Sequence, residues 1–151
     1  MSRVSRENIA AGWDRQASPA QQPVSGIDTA RLRTALEPHA RTYGWRLVVL
    51  FGSVARSGKG RDLDLAVLPV AVPDLMTQGR WSRRLEEAVG YPVDLLVLHD
   101  ATSPLVRFQA LRDGICLYEA EPRLFEREQD RAFFLHADAQ LFLRHGREIT
   151  D

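Results

Sequence analysis

The 151-residue chain has a single cysteine, Cys116, and a single lysine, Lys59, among its 20 basic residues. One cysteine excludes an internal disulfide framework and fits a reducing compartment. Cys116 lies in an apolar run and reads as a plain buried thiol. Net charge is lacking too, because 20 Asp and Glu balance 20 Lys and Arg. No overall basic field therefore draws the chain onto a nucleic-acid backbone, and polymerase-like work on long nucleic acid is disfavoured. No apolar run approaches the roughly 20 residues that a bilayer-crossing helix needs. The first residues form no apolar leader core, so a cytoplasmic location is the expectation. His136 and His145 lie nine residues apart with no cysteine near them, which argues against a structural zinc site. Internal repeats are missing, and the length suits one domain with its own core.

What is present is an alternation of strand and helix patterns. Residues 1–25 mix Arg, Gln, Ser, Pro and Ala with little periodicity and read as an N-terminal extension, with a short helix possible over Arg6 to Trp13. Residues 26–120 read as the main domain. Asp28 is a good N-cap for a helix running to Tyr43 and stopped by Gly44. Strands follow at about 46–51 and 62–69, then a crossover helix over Gly79 to Val89 closed by Gly90, then a strand from Pro92 to Leu98. A short helix over Pro104 to Arg112 leads through Gly114 to a strand at Ile115 to Tyr118. The last segment, 121–151, holds one long helical stretch, Arg123 to Arg147. Its Phe133, Phe134, Leu135, Leu141, Phe142 and Leu143 fall on more than one face at 3.6 residues per turn. Two readings of that helix stay open: it packs across the sheet edge and buries most of them, or some of them meet a partner.

The chemistry concentrates in Leu50 to Leu68, LFGSVARSGKGRDLDLAVL. Side chains alternate along a strand, so Asp62 and Asp64 share one face while Leu63 and Leu65 share the other. Two unpaired carboxylates that close raise each other's pKa, a cost that a divalent cation removes. Upstream, an apolar run ends abruptly at Gly52-Ser53, where glycine permits a sharp turn and close approach of a ligand. If a short helix opens there, its free N–H groups and the Ser53 hydroxyl face an anion. Asp94 interrupts another apolar strand, and a carboxylate buried there would need a cation or a metal. Arg56, Lys59 and Arg61 sit in or beside the spacer and are candidate phosphate contacts, Lys59 as a flexible point charge. Each also reads as an ordinary exposed loop cation, and Arg61 as a possible ion-pair partner of Asp62 or Asp64.

Phe51-Gly52-Ser53, then Asp62-Leu63-Asp64-Leu65, then Val93-Asp94-Leu95 resembles the nucleotidyltransferase superfamily with the DNA polymerase beta fold. The small size makes the chain most similar to the minimal nucleotidyltransferase (MNT) domains that act as antitoxins beside HEPN-domain toxins. The eight-residue spacer between Ser53 and Asp62 is shorter than the common form, and Arg61 stands where Ser is frequent. The resemblance implies an α/β (α+β) fold with a small mixed sheet flanked by helices. It implies Asp62, Asp64 and Asp94 as catalytic residues and metal ligands for two Mg²⁺ ions. It further implies ATP as donor, Gly52 and Ser53 on its phosphates, and AMP transfer to a tyrosine of a HEPN toxin. Alternatives are an MNT-fold antitoxin acting by binding and occlusion, and a transferase with a free small molecule as acceptor. The latter usually carries an added helical domain, for which this chain has no room.

Overall fold

The structure, a computed structural model, describes the backbone of residues 23–150 and side chains through residue 146. The helix expected over Arg6 to Trp13 lies outside the described residues. The elements run α1 (Thr29–Tyr43), β1 (Trp45–Phe51), α2 (Gly52–Ser57), β2 (Leu63–Pro69), α3 (Leu75–Val89), β3 (Val93–Val97), α4 (Pro104–Arg112), β4 (Ile115–Glu119) and α5 (Leu124–Thr150). The four strands form one sheet in the order β3-β2-β1-β4. β1 pairs antiparallel with β2 and β4, while β2 and β3 are parallel and joined across α3. The mixed sheet flanked by helices is the expected fold class.

Local chemistry explains most boundaries. The Asp28 carboxylate caps α1 by accepting from the Ala30 N–H at 3.0 Å, and Gly44 ends it with a left-handed φ of 68°. α3 starts earlier than the apolar spacing implies, because the Asp74 carboxylate accepts from the Thr77 N–H at 2.7 Å and caps the helix there. Ser103 caps α4 in the same way, with Pro104 in its first turn. β1 reads as an almost unbroken apolar run because it is a central strand covered on both faces.

Strand alternation sorts the core into two layers. Val48, Leu50, Leu63, Leu65 and Val67 pack against Leu32, Leu36 and Ala40 of α1 and Trp81 and Leu85 of α3. Leu47, Val49, Ala66 and Leu98 pack on the opposite face against Ala110 and Leu111 of α4 and Leu124 and Ala132 of α5. Asp64, between Leu63 and Leu65, is therefore directed to the α4–α5 side. Val24 is only 1% exposed and joins the first layer, so the body of the fold begins before residue 26. Cys116 is half-buried in β4, and its thiol is pushed up to about 11 by burial and then by the Glu119 charge, which favours the protonated thiol at neutral pH.

α5 does two jobs along its length. Its first turns are bound to α4: the buried Arg107 guanidinium meets the Glu128 carboxylate at 3.4 Å and donates to the His99 carbonyl at 2.7 Å, and the Gln129 amide donates to the Leu111 carbonyl at 2.9 Å. Phe108 stacks on His136 with ring centroids 4.4 Å apart. Beyond that point every described side chain from Leu141 to Gly146 is exposed. Phe133, Phe134, Leu135, Leu141, Phe142 and Leu143 all remain exposed, Phe142 by 78%. The reading in which α5 buries most of its apolar residues is thereby corrected: consecutive residues lie about 100° apart on a helix, so one packed face cannot cover three in a row.

Removing one member of a buried ion pair strands the other charge. Glu128→Ala is expected to lower unfolding free energy in urea by about 3 kcal/mol. A loss below about 1 kcal/mol, the range of exposed pairs, would show that Arg107 is solvated in solution.

Candidate active site

Glycine is required at position 52 for two reasons. Its φ is +74°, a left-handed conformation that L side chains rarely adopt. In addition, a Cβ at this position would overlap the Asp64 carboxylate, whose Cγ would lie 2.9 Å away. The turn out of β1 and the carboxylate on β2 are thus packed backbone to side chain, consistent with the pairing of Phe51 with Asp64. Gly52 opens α2, with Ser53 as its second residue. The Ser57 hydroxyl donates back to the Ser53 carbonyl at 2.9 Å and holds the single turn closed.

Parallel register places Asp94 on β3 directly beside Asp64 on β2. Asp62 stands in the bend just ahead of β2, one residue outside the strand, yet its charge acts on Asp64. The Asp64 carboxyl is pushed up to about 6, first by burial, then by the charges of Asp62 and Asp94 and a hydrogen bond with Asp94, while Arg56 pulls it back. Of the three carboxylates read from the sequence, Asp64 and Asp94 stand side by side, and the charge of Asp62 acts on Asp64. The expectation that Asp94 is buried is corrected: it is exposed, because β3 is an edge strand with no neighbour on its outer side among the described residues.

The basic candidates separate. Arg56, exposed on the last turn of α2, is the one whose charge reaches Asp64. Lys59 and Arg61 are exposed on the loop that follows, and among the described residues Arg61 forms no ion pair with Asp62 or Asp64. Ser53 is partly exposed and lies close to Gly60. Gly60 is a site-adjacent residue that motif reading passed over, since its only sequence signal was a glycine in a Gly-rich spacer.

Among the described residues no three His, Cys, Asp or Glu side chains already stand at metal-gripping distance. The Asp62, Asp64 and Asp94 set nonetheless fits Mg²⁺ in donor type and in charge. Mg²⁺ is usually held by one or two carboxylates, with water and substrate phosphates completing the shell, rather than by an all-protein cage. The raised Asp64 carboxyl is the observation that favours a cation there, since a nearby positive charge would relieve it.

A mixed four-stranded sheet that delivers a Gly-Ser turn to the flank of clustered strand carboxylates defines a nucleotidyltransferase of the polymerase beta type. The chain belongs to that family: residues 37–123, more than half of it, match the family model described as polymerase beta, nucleotidyltransferase. Solved structures agree in fold. A rebuilt structure of tri-AMPylated Shewanella oneidensis HEPN toxin in complex with MNT antitoxin matches with a TM-score of 0.64 and 19% identity, over 82% of this chain and 98% of that one. A toxin–antitoxin structure with AMP-PNP matches at TM-score 0.65 and 20% identity, with the same coverage. No curated protein matches the sequence significantly. Among the described residues no helix is long and apolar enough to cross a membrane.

The raised Asp64 carboxyl has a consequence for stability. The folded chain holds this proton more tightly than the unfolded chain, so the stability it provides is full below the ordinary value of 3.8 and is lost as pH rises through about 6. Asp64→Asn removes that loss. At pH 7.5 the ligand-free variant is expected to melt about 2–4 °C above the wild type, from roughly 1 kcal/mol after discounting for solvent exposure. Near pH 4 the two should melt alike. A variant less stable than wild type at pH 7.5 would contradict the electrostatic picture.

Proposed function

We propose that this chain is a metal-dependent nucleotidyltransferase that moves AMP from ATP onto a tyrosine hydroxyl of a HEPN-domain toxin and so neutralises it as an antitoxin. The observation that carries the reading is the Asp64 carboxylate packed against Gly52, with Asp94 beside it in register and the charge of Asp62 acting on it. Family membership supports the reaction class. The acceptor is supported by the structural neighbours, which include an AMPylated HEPN toxin complex and an AMP-PNP complex.

Asp62 and Asp64 would hold Mg²⁺, with Asp94 completing a second position; bound there, the ions neutralise charge on the triphosphate and on the entering and leaving oxygens. Ser53 and the backbone N–H groups of Gly52 and Ser53 hold the β- and γ-phosphates, which depart together as pyrophosphate. Arg56 adds positive charge on the same side, with Lys59 and Arg61 as exposed cations at the rim. The acceptor oxygen bonds to the α-phosphorus as the bond to the pyrophosphate oxygen breaks. Asp94, exposed beside Asp64, takes the acceptor's proton.

The acceptor is brought by another protein. The exposed apolar residues of α5 offer a surface for a protein partner. That same surface favours a second reading, in which tight binding alone blocks the toxin and the carboxylates are idle. Asp62→Asn combined with Asp64→Asn separates the two. Transfer of label from α-labelled ATP to the HEPN partner should fall at least about 10³-fold, roughly 4 kcal/mol of transition-state stabilisation, and neutralisation should be lost while the complex persists. Undiminished neutralisation by this variant would establish occlusion instead. Phe142→Glu tests the surface: the partner's affinity should drop about 30-fold, a hot-spot loss near 2 kcal/mol, and an unchanged affinity by calorimetry would place the partner elsewhere.

A further inference from the structure

The spacer between Ser53 and Asp62 carries two glycines with different jobs. Gly58 takes a left-handed φ of 75° and donates its N–H to the Val54 carbonyl at 2.8 Å, which ends α2. Gly60 is held from far away in the sequence. The Val24 N–H donates to the Gly60 carbonyl at 2.8 Å, and the Gly60 N–H donates to the Val24 carbonyl at 3.2 Å, a reciprocal antiparallel bridge. Val24 is anchored in turn, because its side chain is 1% exposed in the layer that contains Leu63 and Leu65. The next residue is tied as well: the Tyr91 hydroxyl donates to the Ser25 carbonyl at 3.4 Å. The bridge presses Gly60 onto the start of α2. A Cβ at residue 60 would stand 2.7 Å from the Ser53 Oγ and 2.8 Å from a Val54 methyl, closer than such atoms approach.

We infer that Val24 and Gly60 form a clasp that fixes the Ser53 hydroxyl and the Lys59–Arg61 loop for a nucleoside triphosphate, which makes Gly60 a positioning residue of the nucleotide site. The ligand's identity rests on the nucleotidyl-transfer reading above; the clasp rests on the bridge and the close packing. A loop that is free before binding loses its freedom when phosphate arrives, and ordering it beforehand removes that cost from the binding free energy. The two reciprocal hydrogen bonds and the bare Cα of residue 60 supply the ordering. An added methyl at 60 must displace both the Ser53 hydroxyl and a methyl of the buried Val54, so residues 53 and 60 should be coupled.

Calorimetric binding of AMP-PNP with Mg²⁺ to the full chain tests this. Gly60→Ala should weaken binding about 10-fold, from lost preorganisation. In a double-mutant cycle, adding Gly60→Ala to Ser53→Ala should weaken binding by less, because no Oγ then remains at position 53 to be displaced and only the Val54 methyl is still crowded. Val24→Pro, which lacks the N–H donor, should weaken binding, whereas Val24→Ile keeps both bonds and should restore wild-type affinity; this pair carries the test if Gly60→Ala does not fold. Wild-type affinity in both Gly60→Ala and Val24→Pro, or strictly additive effects at 53 and 60, would overturn the clasp alone. Failure of the wild type itself to bind AMP-PNP would overturn the nucleotide reading and the clasp's role with it.

Discussion

The structure depends on one close approach, the Asp64 carboxylate against the bare Cα of Gly52. Every feature of the site is adjusted around it. β1 must end there in a left-handed turn, so that α2 starts within one residue of the strand. β2 must pair with β1 in the register that sets Asp64 opposite Phe51, and β3 must join parallel so that Asp94 stands alongside. A one-residue slip of β2 would send both carboxylates into the α1–α3 core and the leucines out. The large apolar cores on both sheet faces hold that register, and through it they hold the chemistry.

The concentration of negative charge is a cost that the fold only partly relieves. Asp64 is partly buried with two carboxylates near it, and among the described residues Arg56 is the one cation whose charge is felt there. Structural ion pairs in this protein look different: Arg107 and Glu128 are buried together and joined to a backbone carbonyl. The contrast sets a buried ion pair that stabilises the fold apart from perturbed carboxyls without a structural cation, the kind that concentrate at functional sites.

Much of this was legible in the sequence because it is local. The alternation in Asp62-Leu63-Asp64-Leu65 fixes faces, Gly52-Ser53 fixes a turn, and Asp28 and Gly44 fix the ends of α1. What was not legible depends on strand order and distant contacts. That β3 lies at the edge, leaving Asp94 exposed, follows from the order β3-β2-β1-β4, which periodicity does not encode. Val24 read as part of the N-terminal extension because its bridge and its core packing both reach residues far along the chain. The start of α3 was hidden because Asp74 caps it ahead of the apolar spacing. The width of the apolar arc on α5 was visible, but how little of it the rest of the fold covers required the structure.

The central claim is that the Gly52–Asp64 contact serves AMP transfer. It is tested most directly by Gly52→Ala, which intrudes on Asp64 without removing a carboxylate, assayed by transfer of α-labelled AMP from ATP to the HEPN partner alongside complex formation. Labelling should fall at least about 100-fold, as expected when a reacting group is displaced by about 1 Å, while the partner is still bound. Full labelling by a folded Gly52→Ala variant would contradict the claim.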